Sequence, residues 1–174
     1  MKHYDLVVIG SGVGLTVLNQ GLVRGIRCAL IEAGKMGGTC LTRGCIPSKV
    51  LVHPANLIRE AQNARKVGVE FKIERIDWSL IQNRMWSQIE ESEHIDRSLS
   101  QAPNLTVYRG VGEFVDEYEM RIKLNGGSGY SEEFKGDRIV IASGARSLIP
   151  PVKGLEEVDY VTTESFFGEK FPKE

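Results

Sequence analysis

Two cysteines five residues apart, Cys40 and Cys45, stand between the glycine pair Gly37-Gly38 and a run, Ile46-Pro47-Ser48-Lys49, that reads as a helix start. Thiols at this spacing can cycle between dithiol and disulfide if their Cα atoms come within about 4.4–6.8 Å. Five steps of regular helix rise about 7.5 Å, so the chain from Cys40 to Cys45 has to curl, and Gly44 supplies the freedom. Pro47 suits the first turn of a helix, where no amide hydrogen is needed. Cys45 then lies at the positive end of a helix dipole, which favours thiolate over thiol. Lys49, four residues on, adds a cation on the same helical face. The combination describes a redox pair. The plain alternative is a structural bridge or two unrelated buried thiols, and a chain with three cysteines and no secretory signature has little use for a bridge.

Upstream, Leu6-Val7-Val8-Ile9 is a wholly apolar run, the pattern of a strand buried on both faces. Gly10-Ser11-Gly12-Val13-Gly14 follows, then a helix from Leu15 to Arg24 ending near Gly25, then a second buried strand, Cys28 to Ile31, closing at Glu32. Strand, glycine turn, helix and parallel strand make a βαβ unit. Such a turn lets backbone amides approach a pyrophosphate at a helix N-terminus. This makes Gly10, Gly12 and Gly14 candidate cofactor contacts, and Glu32, 20 residues after Gly12, a candidate acceptor for ribose hydroxyls. In the G-x-G-x-x-G pattern the third glycine would fall at Leu15, a departure expected to loosen helix–strand packing. A plain strand-to-helix turn is the alternative; the spaced acid and the cysteine motif favour a nucleotide. Cys28, inside the second strand, reads as a small core residue.

The string Gly37-Gly38-Thr39-Cys40-Leu41-Thr42-Arg43-Gly44-Cys45-Ile46-Pro47-Ser48-Lys49 resembles the active-site signature of the pyridine nucleotide-disulfide oxidoreductases. Thr42-Arg43 occupies the pair where many members carry Asn-Val or Asn-Arg. The resemblance implies an α/β fold: a Rossmann-like FAD-binding domain with a parallel sheet, flanking helices and an antiparallel β-meander insertion. It implies FAD as cofactor, with NAD(P) in the full-length enzyme. Cys40 is then the interchange thiol, Cys45 the thiol facing the flavin, and Lys49 both a catalytic and a cofactor-binding residue. Gly38 and Thr39 join the cofactor contacts. So does Gly112 in Gly110-Val111-Gly112-Glu113-Phe114, for which a glycine-bearing turn or bulge is an equal alternative. Ser143 and Gly144 do so in Ala142-Ser143-Gly144, which is similar to the family's Ala-Thr-Gly segment. No metal site is expected.

The intervening sequence must position these groups. A long helix is expected from Cys45 to about Lys66, with Leu51, Ala55, Ile58 and Gln62 as its stripe and a kink or break at Pro54. His53 is expected to pack or cap there. Asp77 can cap a helix reaching about Ser100 with Trp78, Ile81, Met85, Ile89 and Ile95 buried, and Glu90 to Asp96 as a solvated face. Leu105–Tyr108, Gly112–Val115 and Met120–Leu124 alternate as strands, Asn125-Gly126-Gly127-Ser128-Gly129 makes a hairpin turn, Tyr130 to Phe134 returns, and Arg138 to Ala142 is a further buried strand. Thr162 to Ser165 can cap one last turn.

The net charge of −1 leaves no electrostatic footprint for nucleic acid or an anionic membrane, no apolar run approaches a membrane span, and no signal peptide is seen, so the cytoplasm is the expected location. The resemblance covers nearly the whole chain, yet the chain covers only the first third or so of a usual family member. Residues 1–150 are therefore expected to be the first segment of the FAD-binding domain and 151–174 a linker toward an absent NAD(P)-binding domain. A dimerisation domain that supplies a partner's His–Glu pair is missing too. The expected whole is a homodimeric flavoprotein acting on a small-molecule disulfide or dithiol, lipoamide-like, since Cys-Ile-Pro-Ser-Lys and His53 look most like the dihydrolipoamide dehydrogenase branch. A mercuric or low-molecular-weight disulfide reductase (glutathione- or mycothione-like) and a non-catalytic nucleotide-binding module are the alternatives, and the fragment alone is expected to be inactive.

Overall fold

A computed structural model describes residues 1–127, 129–168 and 171. In chain order the elements are β1 (Lys2–Tyr4), β2 (Leu6–Ile9), α1 (Gly14–Val23), β3 (Cys28–Glu32), α2 (Gly38–Thr42), α3 (Cys45–Ala64), α4 (Trp78–Ser100), β4 (Leu105–Asp116), β5 (Glu119–Leu124), β6 (Phe134–Gly136), β7 (Ile139–Ile141) and α5 (Thr163–Phe166). They fall into two compact units, Met1–Thr39 with Ser92–Arg146, and Cys40–Glu91 with Ser147–Glu174.

The first unit holds a seven-stranded sheet in the order β1-β6-β5-β4-β3-β2-β7. Strands β7, β2, β3 and the first half of β4 are parallel neighbours, while β4, β5 and β6 form an antiparallel meander that returns to β1. Side-chain alternation divides the core between the two faces of the parallel strands. Val7, Ala29 and Ile31 meet Met120, Ile122 and Phe134 on the meander side. Leu6, Val8, Cys28 and Leu30 meet Leu18 of α1 and Leu99 of α4 on the other. Each such apolar side chain removed from water contributes about 1.5–3 kcal/mol. Cys28 is fully buried, as expected, and burial pushes its thiol pKa up. Tyr4 and Tyr108 share a hydroxyl hydrogen bond of 2.9 Å, and Tyr108 stacks on Phe134 with ring centroids 5.0 Å apart.

Where the sequence suggests two strands, Leu105–Tyr108 and Gly112–Val115, the chain makes a single strand, β4. Its first half pairs with β3 and its second with β5. Gly110, at φ +156°, sits where the partner changes, and a Cβ there would lie 2.1 Å from the Lys123 carbonyl oxygen. The return strand is Phe134–Gly136, with Tyr130 bridging Lys123 alone. The Leu124 amide donates to Gly129 O at 2.9 Å across the expected hairpin turn, of which Ser128 lies outside the described residues.

In the second unit, α3 passes through Pro54 without a break. Its half-buried stripe runs through Leu51, Pro54, Ile58 and Ala61; Ala55 and Gln62 are exposed, and exposed His53 neither packs nor caps. The proline thus lies on the inward side of the helix. Asp77 caps α4 as anticipated, its Oδ1 accepting from the Leu80 amide at 3.0 Å. Trp78, Met85, Trp86 and Ile89 pack with Val50, Leu51, Phe166, Phe167 and Phe171. Thr162 caps α5 in a reciprocal box with Ser165. Of the expected linker 151–174, residues 169, 170 and 172–174 lie outside the described residues. Among the described residues no helix is long and apolar enough to cross a membrane.

Gly14 is the tightest helix–strand contact: a Cβ there would lie 2.7 Å from Val8 Cγ1 and 3.2 Å from Ala142 Cβ. Gly14→Ala should therefore destabilise the fold by about 1–3 kcal/mol, in spite of alanine's better helix propensity. A urea-unfolding midpoint equal to wild type would remove this packing argument.

Candidate functional site

In the first unit the chemistry gathers at the C-terminal ends of β2, β3 and β7. Gly10, at φ +100°, lies so close to the strand-β7 exit that a Cβ would stand 2.2 Å from Ala142 O. The Ala142 amide donates to Ile9 O at 2.8 Å. A Cβ on Gly38, at φ +65°, would lie 2.6 Å from Gly12 Cα. Three backbone segments, 10–14, 37–39 and 142–144, are thus brought to the same strand ends. Ser143 and Thr39 are exposed there, and a Cβ on Gly144 would meet open space.

The glycines of the turn differ in what demands them. Gly10 and Gly14 are required by the protein's own packing. Gly14, one place before the expected third glycine, makes the close helix–strand contact; Leu15 packs on the core cluster of that face and loosens nothing. Gly12 has no positive φ, and a Cβ there would meet only Gly38 Cα, at an ordinary 3.7 Å. Its missing side chain leaves backbone accessible to a ligand. The Val13 side chain makes no capping hydrogen bond, and no acceptor among the described residues takes the amides of Gly12, Val13 or Gly14. Free amides at a helix N-terminus favour an anion.

Glu32 is held to this turn by a residue that the sequence did not single out. Ser11 is fully buried, and its amide and Oγ both donate to Glu32 Oε2, at 2.9 and 2.6 Å. Ser11 Oγ also accepts from the Gly37 amide at 3.1 Å, and Glu32 Oε1 accepts from the Gly34 amide at 2.7 Å. One hydroxyl therefore ties the glycine turn to the acid and to the chain entering α2. A lone serine between two glycines carries no signal of this, because its partners are distant in sequence. Gly112 lies on β4 opposite Ile122, where a Cβ would come 2.9 Å from Met120 Cε, the movable end of a flexible side chain. His3, Asp5 and Asp137 also gather in this unit, but Arg27 donates to Asp5 Oδ1 and contacts His3 Nδ1, which supplies the positive charge there.

In the second unit the cysteine segment has more helix than expected. Cys40 is not in an open loop but on the short helix α2, and Cys45 is the first residue of α3. Gly44, at φ −141° and ψ −114°, breaks the two helices apart, and Ser48 Oγ donates to Gly44 O at 2.7 Å to close the new turn. The break brings the sulfurs together. Both cysteines are exposed free thiols. The neighbouring Cys45 side chain is the main reason the Cys40 pKa is raised, and the charge of Lys49 opposes it only weakly. Arg43, between the cysteines, has its Nε buried without a partner and lends positive charge to Glu164. Glu164 accepts from Ser147 Oγ at 2.8 Å and is held down to about 2, chiefly by that bond.

The chain thus combines a glycine-rich turn at a helix N-terminus, on a mostly parallel Rossmann-like sheet, with two cysteines five residues apart in sequence. The pyridine nucleotide-disulphide oxidoreductase profile matches residues 4–170, and the chain belongs to that family. It is 34% identical over 170 residues to mycothione reductase of Mycobacterium tuberculosis, which covers 95% of this chain and 36% of that protein. It is 33% identical to mercuric reductase of Shigella flexneri (97% and 30% covered) and 34% identical to dihydrolipoyl dehydrogenase 3 of Haloarcula marismortui (92% and 34%). Among solved structures, the Cu(II) complex of the HOCl-induced flavoprotein disulfide reductase RclA from Escherichia coli superposes with a TM-score of 0.70 at 30% identity, covering 90% of this chain and 32% of that one. The chain spans about a third of the length of the relatives it matches.

Two outcomes follow from this geometry. Ser11→Ala removes the hydroxyl's bonds to Glu32 and Gly37 and should cost about 1–3 kcal/mol in denaturant unfolding; a change within 0.3 kcal/mol, on the order of additive noise, would show that the hydroxyl is not holding the turn. Because only thiolate is alkylated, Cys45→Ala should move the pH midpoint of Cys40 alkylation by iodoacetamide downward, and Lys49→Met should move it slightly upward, both read by mass spectrometry. A midpoint unmoved by Cys45→Ala contradicts the assigned cause.

Proposed function

We propose that this chain is the FAD-binding, dithiol-bearing segment of a flavoprotein disulfide oxidoreductase, with residues 1–150 holding the cofactor and 151–174 leading toward an NAD(P)-binding domain. The neighbouring Cys40 and Cys45 thiols, directly after Thr39, carry the reading. The cradle fits a dinucleotide: Gly10, Gly12 and Gly14 with the amides of the α1 N-terminus take the pyrophosphate, Glu32 takes ribose hydroxyls, and Gly38, Thr39, Gly112, Ser143 and Gly144 complete the contacts. When bound, FAD supplies two-electron exchange between a nicotinamide nucleotide and the dithiol.

The protein's own sulfurs perform the rest. Cys40 thiolate attacks one sulfur of a substrate disulfide; that S–S bond breaks, and the departing thiolate takes up a proton. Cys45 thiolate then attacks Cys40 in the mixed disulfide and releases the second substrate thiol. The Cys40–Cys45 disulfide that results has given two electrons to the substrate; a dithiol substrate runs the same steps in reverse. The raised pKa of Cys40 keeps it a thiol at neutral pH, so a base has to take its proton, and no histidine of this chain adjoins it among the described contacts. Lys49 contributes positive charge toward the reduced cofactor.

The substrate is a small disulfide or dithiol, lipoamide-like, acted on by a homodimer of the full-length protein in the cytoplasm. The near-equal identities to mycothione and mercuric reductases favour neither over it. Titrated with FAD, the 174-residue chain should quench flavin fluorescence and show no steady disulfide reduction with NADH or NADPH. Gly12→Ala should unfold at the wild-type urea midpoint yet bind FAD at least about tenfold more weakly, the cost of one lost close approach of about 1.4 kcal/mol. Unchanged flavin affinity in that variant would overturn the cradle assignment, and steady turnover by the chain alone would show that no outside base is needed.

A further inference from the structure

Arg43, between the two cysteines, has no task in the chemistry above. It follows α2 and precedes the break at Gly44, in the same compact unit as both thiols. Its side chain is half-buried, and Nε is shielded from solvent without an acceptor. Among the described residues no carboxylate forms an ion pair with it. Glu164 lies near enough to feel the charge, but its Oε2 is held within its own segment, accepting from Ser147 Oγ at 2.8 Å and Thr163 Oγ1 at 3.4 Å. An enclosed guanidinium N–H with nothing to donate to is costly, and the cost is relieved when an acceptor arrives from outside.

The neighbouring sequence carries the same sign. From Cys40 to Arg59, all within that unit, stand Arg43, Lys49 and Arg59 and no Asp or Glu, although the whole chain has a net charge of only −1. Lys49 and Arg59 are exposed, as are both cysteines. A cationic stretch raises the local concentration of anions and speeds their encounter. Arginine adds geometry to charge, because its planar fork matches a carboxylate through two parallel N–H···O bonds. Lys49 already has a use toward the reduced cofactor, which leaves Arg43 for the substrate.

We propose that Arg43 is a specificity-determining residue that receives a carboxylate of the disulfide or dithiol exchanging with Cys40. This rests on the reading of the chain as the dithiol-bearing segment of a disulfide oxidoreductase. It narrows the substrate from lipoamide-like disulfides in general to those that carry a negative group. The carboxylate supplies the acceptor that the protein itself does not give to Arg43.

Stopped-flow exchange of the reduced 174-residue chain with two probe disulfides tests it. Each probe oxidises the Cys40–Cys45 dithiol to the disulfide and is itself reduced to two thiols, whose absorbance is read. Dithiobis-nitrobenzoate carries a carboxylate on each half; dithiodipyridine is uncharged at neutral pH. Arg43→Met should slow the first probe about tenfold and leave the second at the wild-type rate. Arg43→Lys keeps the charge without the fork and should recover part of the loss. Added salt should slow the carboxylate probe on the wild type and leave the neutral one unmoved. That measurement needs no variant, so it stands even if circular dichroism shows Arg43→Met unfolded. Exchange is read without flavin or nicotinamide nucleotide, so a failed FAD titration and a failed charge preference are separate results. Equal slowing of both probes by Arg43→Met, unchanged rates with both, or a carboxylate-probe rate indifferent to salt would each overturn the proposal.

Discussion

Backbone meeting backbone at the ends of three parallel strands is the constraint on which the glycine turn depends. Gly10 touches the Ala142 carbonyl and Gly38 touches Gly12, and in each case a single added carbon would overlap main chain that cannot rotate away. Side chains yield to crowding by changing rotamer; main chain inside a hydrogen-bonded sheet does not. The turn is therefore fixed by main chain immediately beyond β2 and β7, and the helix N-terminus it presents is preorganised. Ser11 adds the polar counterpart: it is fully buried, its hydroxyl bonds lie at 2.6 and 3.1 Å, and it holds Glu32 beside the same turn.

The dithiol depends on a different device, the interruption of helix at Gly44. Continuous helix would carry Cys40 and Cys45 too far apart to interact, and full extension would separate them further. Two helices broken by one glycine leave the Cys40 and Cys45 side chains near enough to influence each other. The contact itself shapes the electrostatics: a neighbouring thiol disfavours ionisation of Cys40, and the ammonium of Lys49 does not reverse it. The lysine, which is visible in the sequence, is the weaker influence on that exposed sulfur.

Much of this site was legible because its signals are local. Gly10 to Gly14, Glu32 and the cysteine signature are recognised from spacing within a few tens of residues, and the buried strands β2 and β3 from unbroken apolar runs; β7, also expected to be buried, is only half-buried and exposes Ile141, because it lies at the edge of the sheet. Less of the surrounding fold was legible. The continuity of β4 through Arg109–Val111 depends on β5 replacing β3 as the partner, and no local pattern encodes a change of partner. Pro54 stays inside α3, where local propensity argues for a break. The stripe through Pro54 rather than Ala55 was misread because half-buried positions on that helix include a proline, which periodicity counts as punctuation.

By itself the sequence determined the family, since the cysteine signature and the glycine turn lie at short, fixed spacings, and it determined that β2 and β3 are buried, since their apolar runs have nowhere else to go. Tertiary structure alone decided which glycines serve packing and which leaves room for a ligand, and that Ser11 is the tie between turn and acid. It decided the direction of the Cys40 pKa shift as well. Those outcomes depend on distances between residues remote in the chain, and short-range pattern carries no record of such distances.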